Sequence, residues 1–133
     1  MSIAPAVSPS RPGLKAHRDS RRLAFPELVN GLRDMLGARL VAYIGHVTNT
    51  RTVREWIEGK HDPGDAVIAA LRDTYFIAAL LCEEESRETV QAWFQGMNPD
   101  LDDFAPATLL RNERYGEIGN KVAMAARSFL AHG

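Results

Sequence analysis

Apolar positions recur at helical spacing through most of the chain. After Pro26, Leu28, Leu32 and Leu36 fall four residues apart, which predicts a helix that Gly37 can stop. Leu40, Val41 and Ile44 predict a second, shorter helix ending near Gly45. The segment HVTNT then supplies a turn, with Thr50 as the expected cap of a third helix. In that helix Val53, Trp56 and Ile57 stand at i, i+3 and i+4, so they share one inward face. Gly59 ends it and Pro63 lies beyond as a stop. Three short helices with a tight connection before the last form the skeleton of a helix-turn-helix unit.

From Asp65 to Leu81 the pattern predicts a longer helix, with Val67, Ile68, Leu71, Tyr75, Ala78 and Cys82 on one stripe. Its end, YFIAALLC over residues 75–82, is apolar on nearly every face and must be buried on every face. The expected cover is a second module or a second subunit, and a homodimer joined through this stretch is the expectation. A further helix starts with Ser86 as cap, buries Val90, Trp93 and Phe94, and ends at Gly96 before Pro99. Pro106 suits the first position of a short helix, PATLLRN. The last helix is expected from about Glu113 to Ala131, with Ile118, Val122, Ala125, Ala126 and Phe129 on one stripe. No stretch alternates as a strand would, so the predicted fold class is all-α: a helix-turn-helix unit joined to a small helical C-terminal module.

Residues 1–24 hold three prolines, several serines and few large apolar side chains. Burial there cannot offset the entropy of folding, so a disordered, mobile arm is expected. The predicted organisation is an arm at 1–24, a helix-turn-helix domain at 25–84 and a helical domain at 85–133.

Composition adds little to this picture until charge is resolved along the chain. With 133 residues, 45% hydrophobic and 25% charged, the protein can build a core and a solvated surface. No apolar run suits a signal peptide or a membrane span, which points to a soluble cytoplasmic protein with no membrane partner. The single cysteine agrees, and Cys82 precedes three glutamates whose field disfavours a thiolate, so it is read as a core residue. The net charge of −1 conceals an asymmetry: +4 over residues 1–25, zero over 26–64 and −5 over 65–133. A basic arm beside one surface and an acidic module facing another partner would produce it, as would chance variation in short tails.

With Val53, Trp56 and Ile57 inward, the third helix turns Arg51, Thr52, Arg54, Glu55 and Glu58 outward. Side chains near the start of the second helix of a helix-turn-helix reach base edges in the major groove. Arg51 and Arg54 suit a guanine edge or a phosphate; Thr50 and Thr52 suit a phosphate or a thymine methyl. Arg39 and Lys60 would flank the backbone. The same face is also what an ordinary solvated helix with i to i+4 ion pairs presents, and both readings stand on these residues alone. His17, His46, His61 and His132 are scattered without metal-ligand spacing, and no glycine-rich loop cradles phosphate. No catalytic constellation and no cofactor is implied, so the protein is not expected to be an enzyme.

LVAYIGHVTNTRTVREWIEGKHDP resembles the Xre-type helix-turn-helix pattern through Trp56, Gly59 and Pro63, with two more residues than usual between Gly45 and Trp56. VQAWFQGMNPDLDDFAPATLL, with Trp93, Asn98, Pro99, Leu101, Pro106, Leu109 and Leu110, resembles the toxin-binding domain of Xre/MbcA/ParS-type antitoxins. That resemblance implies a DNA-binding antitoxin of a type II toxin-antitoxin system, one that neutralises a RES-type toxin and represses its own operon. It further implies operator DNA and a toxin as partners, with the last helix and tail meeting the toxin; no family motif assigns the contacts there, and Phe129, Leu130, His132 and Gly133 are the candidates in that element. A stand-alone helix-turn-helix transcriptional regulator without a toxin is the alternative with the same fold.

Overall fold

The computed structural model describes residues 13–112 and 117–132, and among them every regular element is helical. In chain order these are α1 (Leu14–Arg22), α2 (Phe25–Leu36), α3 (Ala38–Ile44), α4 (Thr50–Ile57), α5 (Asp65–Cys82), α6 (Arg87–Gln95), α7 (Pro106–Arg111) and α8 (Glu117–His132). A single 3-10 turn, Pro99–Leu101, lies between α6 and α7. The all-α expectation holds.

Helix α2 starts with proline in its first turn, buries Leu28, Leu32 and Leu36, and stops at Gly37. Pro106 occupies the first turn of α7, and Ser86 Oγ accepts from the Thr89 amide at the start of α6. At α4 the cap is one residue earlier than expected. The Asn49 side chain accepts from the Thr52 amide, and Thr50 is the first helical residue.

The stretch expected to be a mobile arm requires a correction. Residues 1–12 lie outside the described residues, but Leu14–Arg22 is helix α1, packed against α5. Two distant charged groups anchor its ends. The Glu83 carboxylate accepts from the Gly13 amide at 3.1 and 3.2 Å. Arg72 donates to the carbonyls of Ser20 and Leu23 at 3.2 and 2.9 Å, satisfying the end of α1 where no further intrahelical donor exists. Only small side chains, Ala16 and Ser20, are buried on α1, which lets it lie close to α5. Gly13 has φ of +84°, and an added Cβ would meet Leu80 at 2.9 Å.

Helix α5 is the centre of the molecule. Ile77, Ala78, Leu80 and Leu81 are buried, and α1, α2, α6 and α8 pack around it. Much of the apolar 75–82 stretch is therefore packed within one chain, against α1, α2, α6 and α8. Tyr75, Phe76, Ala79 and Cys82 remain half-buried along it. One hydrophobic cluster runs from Phe25 and Leu28 through Leu71 and Ile77 to Phe94, Leu110 and Val122. Cys82 belongs to its margin, and burial pushes the thiol above its ordinary range, with Asp34 adding to the effect and Arg87 opposing it.

Candidate nucleic-acid interface and partner groove

The arrangement of α2, α3 and α4 rests on Trp56. Its indole is 1% exposed and meets Phe25 of α2 edge-on, with ring centroids 5.9 Å apart. It also rests against Gly45, the end of α3, so one side chain joins α2, α3 and α4. A Cβ at position 45 would stand 2.9 and 3.0 Å from two indole carbons and 3.1 Å from the Val41 carbonyl oxygen. Gly45→Ala is therefore expected to destabilise by about 1–3 kcal/mol through overpacking. Thermal melting checks this, and an unaltered Tm would show that the turn has room to relax.

With Val53 and Trp56 inward, Arg51 and Arg54 are exposed. The acids of this face are engaged with residues beyond the helix. Glu55 lies 3.1 Å from His61 Nε2, and Glu58 lies 3.3 Å from Lys60 Nζ. The hydrogen bond from His61 holds the Glu55 carboxyl below its usual range, with a smaller contribution from the Arg51 charge. Among the described residues no ion pair holds Arg39, Arg51 or Arg54, so the i to i+4 pairing that would make this an inert charged face is not formed. Of the other residues predicted for this surface, Thr50 is exposed, Thr52 is half-buried and directs its hydroxyl at Asn49, and Lys60 is paired with Glu58. Arg39 stands apart, exposed at the start of α3.

A groove of about 540 Å³ separates Arg39 from the start of α4, lined by Arg39, Tyr43, Thr48, Asn49, Thr50 and Arg111 among others. Arg111 belongs to α7, and no local sequence pattern connects it with α3. Its guanidinium lies over the Tyr43 ring, 4.6 Å from the centroid, and donates to the Tyr43 carbonyl. Tyr43 Oη and Thr108 Oγ1 are 3.2 Å apart, and the His46 ring is hydrogen-bonded to the Arg111 carbonyl. His46 adopts φ of +62° in the turn between α3 and α4, which carries the chain from one helix to the other.

At the opposite end, Trp93 of α6 packs edge-on against Phe94 and tilted against Phe129 of α8. Asn98 accepts from the Asp100 amide at 2.9 Å with its side chain, and its carbonyl accepts from Leu101 and Asp103, which builds the rigid turn before α7. Around it lies a groove of about 390 Å³ lined by Trp93, Met97, Asn98, Ser128, Phe129 and His132, among others. Of the residues predicted to meet a partner, Phe129 and His132 line this groove, Leu130 packs half-buried against the core, and Gly133 lies outside the described residues. Met97, not predicted, is 82% exposed beside it. Its signal in the sequence is an apolar residue placed in a turn.

Among the described residues no helix is long and apolar enough to cross a membrane. No family model and no curated protein matches the chain. Among solved structures, a chain in the crystal structure of the M. tuberculosis MbcT-MbcA toxin-antitoxin complex is similar, at 23% identity and a TM-score of 0.62, covering 80% of this chain and 96% of that one. The helical arrangement built here, from Trp56 at one end to Trp93 at the other, is thus a fold shared with a member of a toxin-antitoxin complex.

Proposed function

We propose that this protein is the antitoxin of a type II toxin-antitoxin pair, a repressor that binds operator DNA through α4 and neutralises a RES-type toxin through its C-terminal helices. The observation that carries the DNA half is the pairing on α4: its acids are satisfied by His61 and Lys60, while Arg51 and Arg54 project from a helix held rigidly by Trp56. Side chains so placed can reach base edges, and unpaired guanidiniums need not break an ion pair to do so. Arg39 and Lys60 would flank the backbone, with Thr50 and Thr52 at the start of the helix. The toxin half draws on the shared fold with a chain of the MbcT-MbcA complex and on the groove beside Met97 and Phe129. In this reading residues 25–84 serve DNA and residues 85–133 serve the toxin, although a common core joins them. A two-fold operator would be met by a homodimer of this chain.

Co-purification tests the toxin half. The product of a neighbouring RES-domain reading frame is expected to be retained by the tagged protein. Met97→Glu is expected to leave Tm unchanged, because the side chain is in water, and to weaken retention at least tenfold by placing a charge in an apolar contact. Failure of the unaltered protein to retain any such product, together with operator binding, would favour the stand-alone regulator.

A further inference from the structure

Resting on the DNA reading above, we infer that the groove between α3, the start of α4 and the end of α7 takes a phosphodiester group of the DNA backbone. Arg111, from the C-terminal module, contacts it alongside Arg39. The DNA-binding surface then extends beyond the helix-turn-helix unit and is incomplete without α7.

Charge and position both support this occupant. The groove carries two guanidiniums and the hydroxyls of Thr48 and Thr50, and among the described residues no carboxylate lines it. A phosphate on the flank of a recognition helix is met by this donor set, arginine forks with hydroxyls beside them. The groove also opens at Asn49 and Thr50, where α4 begins. If the start of α4 enters the major groove, the adjoining α3 side lies over the sugar-phosphate backbone.

The Arg111 side chain is already held in place. One of its Nη groups donates to the Tyr43 carbonyl and its central carbon lies over the Tyr43 ring, while Tyr43 itself is tied to Thr108. A guanidinium has five donor hydrogens, and among the described residues no carboxylate engages those of Arg111. Fixing the fork before binding removes the rotamer entropy that a free arginine would lose on meeting phosphate.

The test is a titration of labelled operator duplex with full-length protein at several salt concentrations. Arg111→Gln is expected to lower the slope of log K against log salt by about 0.9 per protomer, the value for one phosphate contact on B-form DNA. Arg111→Lys should restore most of that slope, because it keeps the charge. Arg39→Gln, at an exposed position that no ion pair holds among the described residues, should lower the slope by a similar amount. A slope unchanged in Arg111→Gln, whatever its affinity, overturns the inference, as does an Arg111→Lys slope equal to that of the Gln variant. If Arg111→Gln does not fold, the Lys variant and Arg39→Gln decide: an unchanged Arg39→Gln slope removes the groove from the interface. Inorganic phosphate raising the Tm of the wild type but not of Arg111→Lys, with duplex slopes unaltered, would assign the groove to a free anion and overturn it. Wild-type protein that binds no duplex rejects the DNA reading itself. Wild-type binding with unaltered slopes in the variants rejects only the role of this groove.

Discussion

Trp56→Ala is expected to lower the free energy of unfolding by about 3–5 kcal/mol, the range for truncating a large buried aromatic. The indole is among the largest fully buried side chains, and it is the point where α2, α3 and α4 meet through Phe25 and Gly45. Its removal leaves a cavity that short helices on three sides cannot all collapse into, and it also forfeits the edge-on contact with Phe25. A typical domain is stable by about 5–15 kcal/mol, so the substitution removes a large share of the total. Urea unfolding checks it: the midpoint should fall with little change in slope, since the surface exposed is nearly the same. A midpoint equal to that of the wild type would show that α4 is held by other contacts and that its orientation does not depend on the indole.

Arg51→Ala with Arg54→Ala should have the opposite profile. Both side chains are exposed and, among the described residues, neither takes part in an ion pair, so the double variant should melt as the wild type does. Specific operator binding should weaken by about 1–3 kcal/mol for each arginine that makes a bidentate base contact, per half-site. The two substitutions together thus cost about 2–6 kcal/mol per half-site if both read bases. Comparison with an unrelated duplex at the same salt separates the roles. Loss confined to the operator marks base reading, whereas equal loss on both marks phosphate contact. Operator affinity identical to that of the wild type would remove α4 from the interface and leave its exposed guanidiniums as ordinary surface.

Much of the candidate DNA surface was legible from spacing. Val53, Trp56 and Ile57 at i, i+3 and i+4 imply which face α4 buries, and therefore that Arg51 and Arg54 point outward. The structure agrees, with Val53 and Trp56 buried and Ile57 half-buried. Which acids would neutralise that face was not legible, because Arg51 and Glu55 are as well spaced for pairing as any i to i+4 couple. The choice of His61 as the partner of Glu55 depends on how the chain turns after Gly59, which has φ of +73°.

By itself the sequence determined most of the periodic elements and their stops, and the inward side of α2 and α4, because these follow from contacts within a few residues; on α5 the buried face runs through Ala70, Thr74 and Ile77 rather than through the expected Val67, Tyr75 and Cys82. It also showed that residues 75–82 must be covered. Only the tertiary structure decided which parts of the chain pack around them: α1, α2, α6 and α8. Helix α1 escaped the apolar pattern because it buries only Ala16 and Ser20 and is held by Glu83 and Arg72, groups some fifty to seventy positions away. Arg111 escaped for the same reason, since its place over Tyr43 is set by the packing of α7 on α3. Local periodicity encodes a face; which distant charge meets that face is settled only when the helices pack.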